Sequence, residues 1–311
     1  MIRRRSRTWP DAVAKYLVMV VGSSILLLTA IYFYRLTNGS GKTLPEGIEF
    51  LFSSNWNPLG TIFGVAPEVY GTLITSGIAL ILGVPVSIGV AVFLSELSPR
   101  RLRSPISFVV EMLAAVPSVV YGLWGLFILA PYLSANVYPG LQKYLGFLPI
   151  FKGHIYNVSF LTAGIVLAIM IIPIVSAISR DVLLAVPESQ REAAYALGAT
   201  KSEVIRMSVL SYGRSGVIAA IFLGFGRAFG ETMAVTMLIG NTPVISASLF
   251  SPGFTLASLI AQEYNDAQTP VFQSALVEAA LVLLIVSFLA SAVGRLLIRR
   301  LVKSREAASY L

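Results

Sequence analysis

Long stretches of this chain are apolar with no polar face of helical or strand period. Six runs stand out: Tyr16–Tyr34, Leu73–Leu94, Ile106–Pro131, Val158–Ile178, Val217–Ile239 and Ser274–Leu297. Each is near the ~20 residues that an α-helix needs to cross the hydrocarbon core. The second and fourth carry no charged residue at all. Strands of a membrane barrel would be about ten residues long and would alternate apolar with polar positions. These runs are longer and apolar all round, so the pattern predicts an all-α, polytopic bundle of six transmembrane helices. The first run follows a basic stretch, but it exceeds a signal peptide's apolar core and ends in no small-x-small cleavage site. It is expected to stay as an anchor, 16–34, after a basic segment, 1–15. The transmembrane domain proper is expected at 72–298, with a tail at 299–311.

Composition agrees with the pattern. Of 311 residues, 56% are hydrophobic and 12% charged, with a mean hydropathy of +0.80. Soluble domains carry about twice that charge, so a soluble enzyme is excluded. There is no cysteine and one histidine, His154, which removes disulfides, thiol nucleophiles and histidine-rich metal clusters. The net charge of +8 raises nucleic acid as a partner until the basic residues are placed. The N-terminal segment, the loop after the second run, the loop after the fourth and the C-terminal end hold 18 of the 23. Only Arg35, Lys42, Lys143 and Lys152 fall on the other side. By the positive-inside rule both termini are cytoplasmic. The basic balance is topological, membrane lipid is the surrounding partner, and nucleic-acid binding loses its support.

Gly39-Ser40-Gly41-Lys42-Thr43 resembles the end of a phosphate-binding loop. The full motif needs a glycine where Leu36 stands, a preceding strand and a following helix. Here an apolar run precedes and Pro45 follows, so a flexible outer loop is expected. ATP, if used, is bound by another chain.

The one sizeable cytoplasmic loop, 179–211, reads Pro187-Glu188-Ser189-Gln190-Arg191-Glu192-Ala193-Ala194-Tyr195-Ala196-Leu197-Gly198-Ala199-Thr200 at its middle. Pro187 suits a first helical turn and Glu188 the positive end of its dipole. Gly198 permits the left-handed conformation that ends a helix. Thr200 or Ser202 can cap a second helix running to Leu210. Glu192-Ala193-Ala194 followed by Gly198 resembles the EAA loop of the permeases of binding-protein-dependent ABC importers. That resemblance implies the type I importer permease fold and a coupling helix that docks into a cytoplasmic ATPase. The family pattern ends in Leu-Pro, whereas Leu210 is followed by Ser211, so a sharp break there is not expected.

Four ionisable residues fall within the runs: Glu111, Arg227, Glu231 and Glu278. A charge at the bilayer centre costs about 2.5–3.5 kcal/mol even on the lenient scale, so such groups face protein or water. Glu111 and Glu278 are near run ends, within reach of interfacial water. Arg227 is expected close to mid-membrane, with Glu231 at i+4 on the same helical face. The two could form a structural ion pair, or Arg227 could offer its fork of donors to an oxyanion. Gly226 and Gly230 form a small-xxx-small face for close helix packing. Pro117 is a candidate kink in the third span.

Gly226 to Asn241, together with Ala115 to Gly125, resembles the PstC family of phosphate-transport permeases, and the likeness extends from about Thr72 to the end of the sixth run. Gly230-Glu231-Thr232-Met233-Ala234 and Ile239-Gly240-Asn241 fit that family better than its sister permeases. The resemblance implies a PstA-like sister permease, a PstB-like ATPase dimer and a PstS-like external phosphate-binding protein, with no cofactor on this chain. It places the chain in the cytoplasmic membrane as a transport subunit and not an enzyme. Arg227, Glu231 and Glu111 become candidates for the substrate path, and Glu192, Ala193, Ala194 and Gly198 for ATPase coupling. Another oxyanion, sulfate or molybdate, is the nearest alternative. A passive anion channel would not need the docking loop.

Overall fold

The computed structural model describes residues 9–43 and 47–308, the last dozen by backbone course alone. The basic cluster Arg3, Arg4, Arg5 and Arg7 lies outside the described residues. Among those described there is no strand, only one isolated bridge between Asn57 and Ile62. Six helices among the described residues are long and apolar enough to span a membrane: α1 within Trp9–Gly39, α3 (Ala66–Leu97), α5 (Ser118–Leu145), α6 (Phe160–Leu184), α8 (Lys201–Gly230) and α11 within Pro270–Ala308. Shorter helices join them: α2 (Ile48–Phe52), α4 (Arg100–Ala114), α7 (Glu188–Ala196), α9 (Met233–Leu238) and α10 (Leu256–Glu263).

The core is the α3–α6 pair, which meets over small residues. A Cβ on Gly83 would press on Ile171, and one on Gly164 on Ile78. Two-thirds of the apolar window of α6 is buried, whereas none of that of α1 is. Only the end of α1 is tied in. Ser274 of α11 donates to the Gly39 carbonyl at 2.9 Å and accepts from the Lys42 N–H at 3.2 Å. Thr43 and Ser40 are fully buried there. The loop expected to be flexible is therefore a clasp between the first and sixth spans.

Two expected spans are redrawn. The third does not run Ile106–Pro131: α4 stops at Ala114 and a new helix starts at Ser118. Proline has no N–H to donate and drives the residue before it out of the helical region. Pro117, with φ −59° and ψ 140°, is thus the residue preceding α5 and not a kink within one span. The fifth span does not run Val217–Ile239 as one helix. It starts at Lys201, behind a Thr200–Glu203 capping box, and stops at Gly230. With Ser211 in place of the family's proline nothing interrupts it near Leu210, and only a π-helical turn, Val204–Val209, is spliced in.

After α9 the chain is irregular to Thr255, yet its carbonyls are used. The first N–H groups of α6, those of Ser159, Phe160 and Leu161, donate to Leu238, Ser251 and Leu249 at 2.9–3.1 Å.

Candidate functional site

The two helix breaks lie side by side. The first turns of α5 pack on α9, with a Cβ on Gly122 meeting the Ala234 backbone at 3.1 Å and the Met237 sulfur at 2.7 Å. Depth follows from α8: a Cβ on Gly224 would touch Val175 and Ile171, halfway along the 25 residues of α6. Arg227 is one turn further on, so the breaks and Arg227 share the middle of the bundle. Discontinuous helices at that depth are where transporters build substrate sites.

Arg227 occupies the last turn of α8, half-buried, with its Nε enclosed and without a hydrogen-bond partner. In α5, which starts at the neighbouring break, the Tyr121 hydroxyl donates to the Leu113 carbonyl at 2.9 Å and so bridges the α4–α5 break. Of the two alternatives for Arg227 and Glu231, the mutual ion pair is absent from the ion pairs among the described residues. Because α8 ends at Gly230, Glu231 is extended (φ −71°, ψ 123°) and no longer shares a helical face with Arg227. Its Oε1 instead accepts the Ala234 N–H at 3.3 Å, capping the positive end of α9. Gly226 and Gly230 pack closely on no helix among the described residues, since nothing lies within 4 Å of a Cβ at either. They open on an apolar groove of about 630 Å³ that Phe225, Ala257 and Leu284 also line.

Glu111 is not in a span. It sits on α4 and pairs with Arg180 of α6 at 3.0 Å, its side chain 53% exposed. α4 mixes arginines with exposed Phe108, Val109 and Met112, a composition suited to a membrane surface. The sequence reading missed Glu68, which it placed before the second span. The residue falls in the first turn of α3, fully buried, with both carboxyl oxygens unpartnered.

Of the two short helices expected in the cytoplasmic loop the first forms, whereas the second does not end at Leu210 but runs on as α8. Pro187 precedes α7, and Gly198, at φ +82°, ends it in the left-handed region that β-carbons disfavour. Glu192 and Ala193 are exposed, Ala194 is half-buried, and Leu197 projects almost wholly into solvent. Arg191, one residue before Glu192, points the other way. It donates to Glu96 of α3 at 2.8 and 3.4 Å, and to the carbonyls of Val186 and Leu183 at 2.6 and 3.0 Å. The bond to Glu96 holds the guanidinium above its ordinary pKa against the burial that lowers it. Nothing in the spacing of Glu96 and Arg191, 95 residues apart, signals this contact.

Residues 83–303 match the family model described as the inner membrane component of binding-protein-dependent transport systems. The chain belongs to that family. Among curated relatives, the phosphate transport system permease protein PstC of Xylella fastidiosa (strain Temecula1) is 43% identical over 94% of this chain and 92% of its own. PstC of Pasteurella multocida is 45% identical over 90% of this chain and 88% of its own. Among solved structures, a bacterial ABC transporter that imports alginate aligns with a TM-score of 0.57 at 14% identity, over 93% of this chain and 99% of that one. The MetNI methionine ABC transporter, inward facing, aligns at 0.51 and 18%, over 74% and 94%. The fold of this inner-membrane transport component is that of ABC importer permeases, and the chain is a multi-pass membrane protein.

Proposed function

We propose that this permease is the phosphate-translocating subunit of an ATP-driven importer. Its likeness to PstC relatives over nine-tenths of the chain carries the reading. The unpaired Arg227, beside the α4–α5 and α8–α9 helix breaks, supports it chemically. A guanidinium presents donors in a fork that fits a phosphate oxyanion. An arginine already paired with Glu231 would lose that contact before taking substrate; this one has nothing to give up. A doubly charged phosphate needs more than one cation, so a PstA-like sister permease is expected to complete the site.

In this reading both termini face the cytoplasm and a PstS-like protein delivers phosphate to the outer loops. A PstB-like ATPase dimer binds and hydrolyses the ATP, holding the exposed face of α7 at Glu192, Ala193 and Ala194. Closure of the ATPases carries α7 with them, and the breaks after α4 and α8 let the bundle open alternately to each side. The chain itself holds no nucleotide or other cofactor.

The test is reconstitution of the complex with its binding protein in proteoliposomes, with ATP hydrolysis and uptake followed on phosphate, sulfate and molybdate. Stimulation by phosphate is expected. Stimulation by sulfate or molybdate alone would overturn the substrate assignment, and uptake without ATP would point to a channel.

A further inference from the structure

The inward side of the coupling helix carries a second device. Arg191 and Glu96 are each 12% exposed at the side chain. The single guanidinium of Arg191 joins three elements: α7, which bears it; the π-helical end of α3, Phe93–Leu97, which bears Glu96; and the last carbonyls of α6 and its connector, Leu183 and Val186. A weaker contact to Glu188 at 3.6 Å steadies the same group from one turn away on α7. A planar fork that satisfies a carboxylate and two carbonyls together is fixed in orientation, and shielding from water strengthens it. Another tie between α7 and a span is the hydrogen bond that Ser208 Oγ of α8 donates to the Gln190 carbonyl of α7 at 2.9 Å. Beyond Glu96, α3 is interlocked with α6 through Gly83 and Gly164, and α6 touches α8 at Gly224, one turn from Arg227.

We propose that Glu96 and Arg191 form a strut that carries the displacement of α7 into the α3–α6 core, and through it to the turn that bears Arg227. The proposal rests on the ATPase-docking role given to α7 above. Both are positioning residues; neither touches substrate or nucleotide. With the strut intact, motion of α7 must move the core. Without it, α7 can follow the ATPases while the spans lag.

The experiment measures phosphate taken up per ATP hydrolysed by the complete complex in proteoliposomes. If the unaltered complex imports no phosphate, the importer reading fails and the strut falls with it. If it does import, Glu96→Gln is expected to lower uptake per ATP by about tenfold, within the usual span of coupling factors, while hydrolysis continues near its original rate. Arg191→Lys keeps the charge but loses the fork, and should fall between the two. Ser208→Ala should leave the ratio unchanged. A charge swap is no test, because a carboxylate at 191 would face the carbonyls of Leu183 and Val186.

Since the chain has no cysteine, Glu96→Cys with Arg191→Cys places its only two thiols at the strut. In complexes whose other chains lack accessible thiols, a short bis-thiol cross-linker should restore uptake per ATP in this pair. An unchanged ratio in Glu96→Gln overturns the proposal. So does cross-linking that stops uptake, because the strut would then have to part during the cycle. If Glu96→Gln fails to assemble, the cross-linked pair decides alone.

Discussion

Arg227 and Arg191 are the same side chain put to opposite uses. Arg191, at the cytoplasmic end, has its donors taken up by Glu96, Val186 and Leu183. Arg227, at mid-depth, forms no ion pair among the described residues and has a buried Nε with no partner. A buried cation with full coordination holds elements together, and removing it strands its partners. A cation left incomplete at the junction of two broken helices has its valences free for something that arrives. The fold's stability and the coupling to α7 should therefore depend on the first arginine, and the binding of substrate on the second.

The largest expected effect is on uptake. Arg227→Gln removes charge-assisted hydrogen bonds worth about 1.5–3 kcal/mol each, which for one bond is already about 10- to 150-fold in binding. Uptake should fall by about that factor or more, with assembly and thermal stability unchanged because no intramolecular partner is lost. A variant that transports normally would remove Arg227 from the path. Arg191→Ala should do the reverse to stability. It leaves Glu96 buried without its counter-ion, at a cost of about 3 kcal/mol, the lower end for broken buried pairs. Denaturation of the complex followed by heat should show the loss. Equal stability in both variants would dissolve the contrast.

Glu231 sharpens the comparison, since two roles predict different pairs of outcomes. As the cap of α9 it needs only an acceptor oxygen for the Ala234 N–H. Glu231→Gln keeps that oxygen and should transport within a few-fold of the original. Glu231→Ala removes it and should cost about 1 kcal/mol of stability, as lost caps do. Were Glu231→Gln as damaging to uptake as Arg227→Gln, the carboxylate would be acting on Arg227 through its charge. At the cytoplasmic end the matching small effect belongs to Gly198. At φ +82° with nothing near its missing Cβ, Gly198→Ala meets backbone strain alone, about 1–2 kcal/mol, and Gly198→Asn should lose less.

The sequence made the number of spans legible because desolvation forces a long apolar run wherever a helix crosses lipid. The coupling helix was equally legible: Pro187, Gly198 and Thr200 are local signals that act within a turn or two. Helix breaks inside apolar runs were not. Ala115–Pro117 stays within one apolar run, and Glu231 of Gly230–Thr232 sits inside another that resumes at Met233, so hydropathy alone separates neither α4 from α5 nor α8 from α9. The Arg227–Glu231 spacing misled for the same reason, as i+4 means one face only while the helix lasts. Arg191–Glu96 was beyond reach because tertiary pairs carry no spacing rule.

Glu111 gives the smallest expected effect and the strictest check on where the path runs. Read as the near end of a span it was a candidate for the same path as Arg227; on α4 it pairs with Arg180 at 3.0 Å with half its side chain in solvent. Arg180 keeps two bonds to Asp181, at 2.7 and 3.0 Å, when Glu111 is neutralised. An exposed pair is worth about 0–1 kcal/mol, so Glu111→Gln should leave stability and uptake nearly unchanged. Equal uptake at low and high salt in that variant would agree with a pair that screening already weakens. A large fall in uptake with stability intact would mean that phosphate passes α4 on its way to the cytoplasm, and the unpaired charge at mid-depth would then be one station of a longer path.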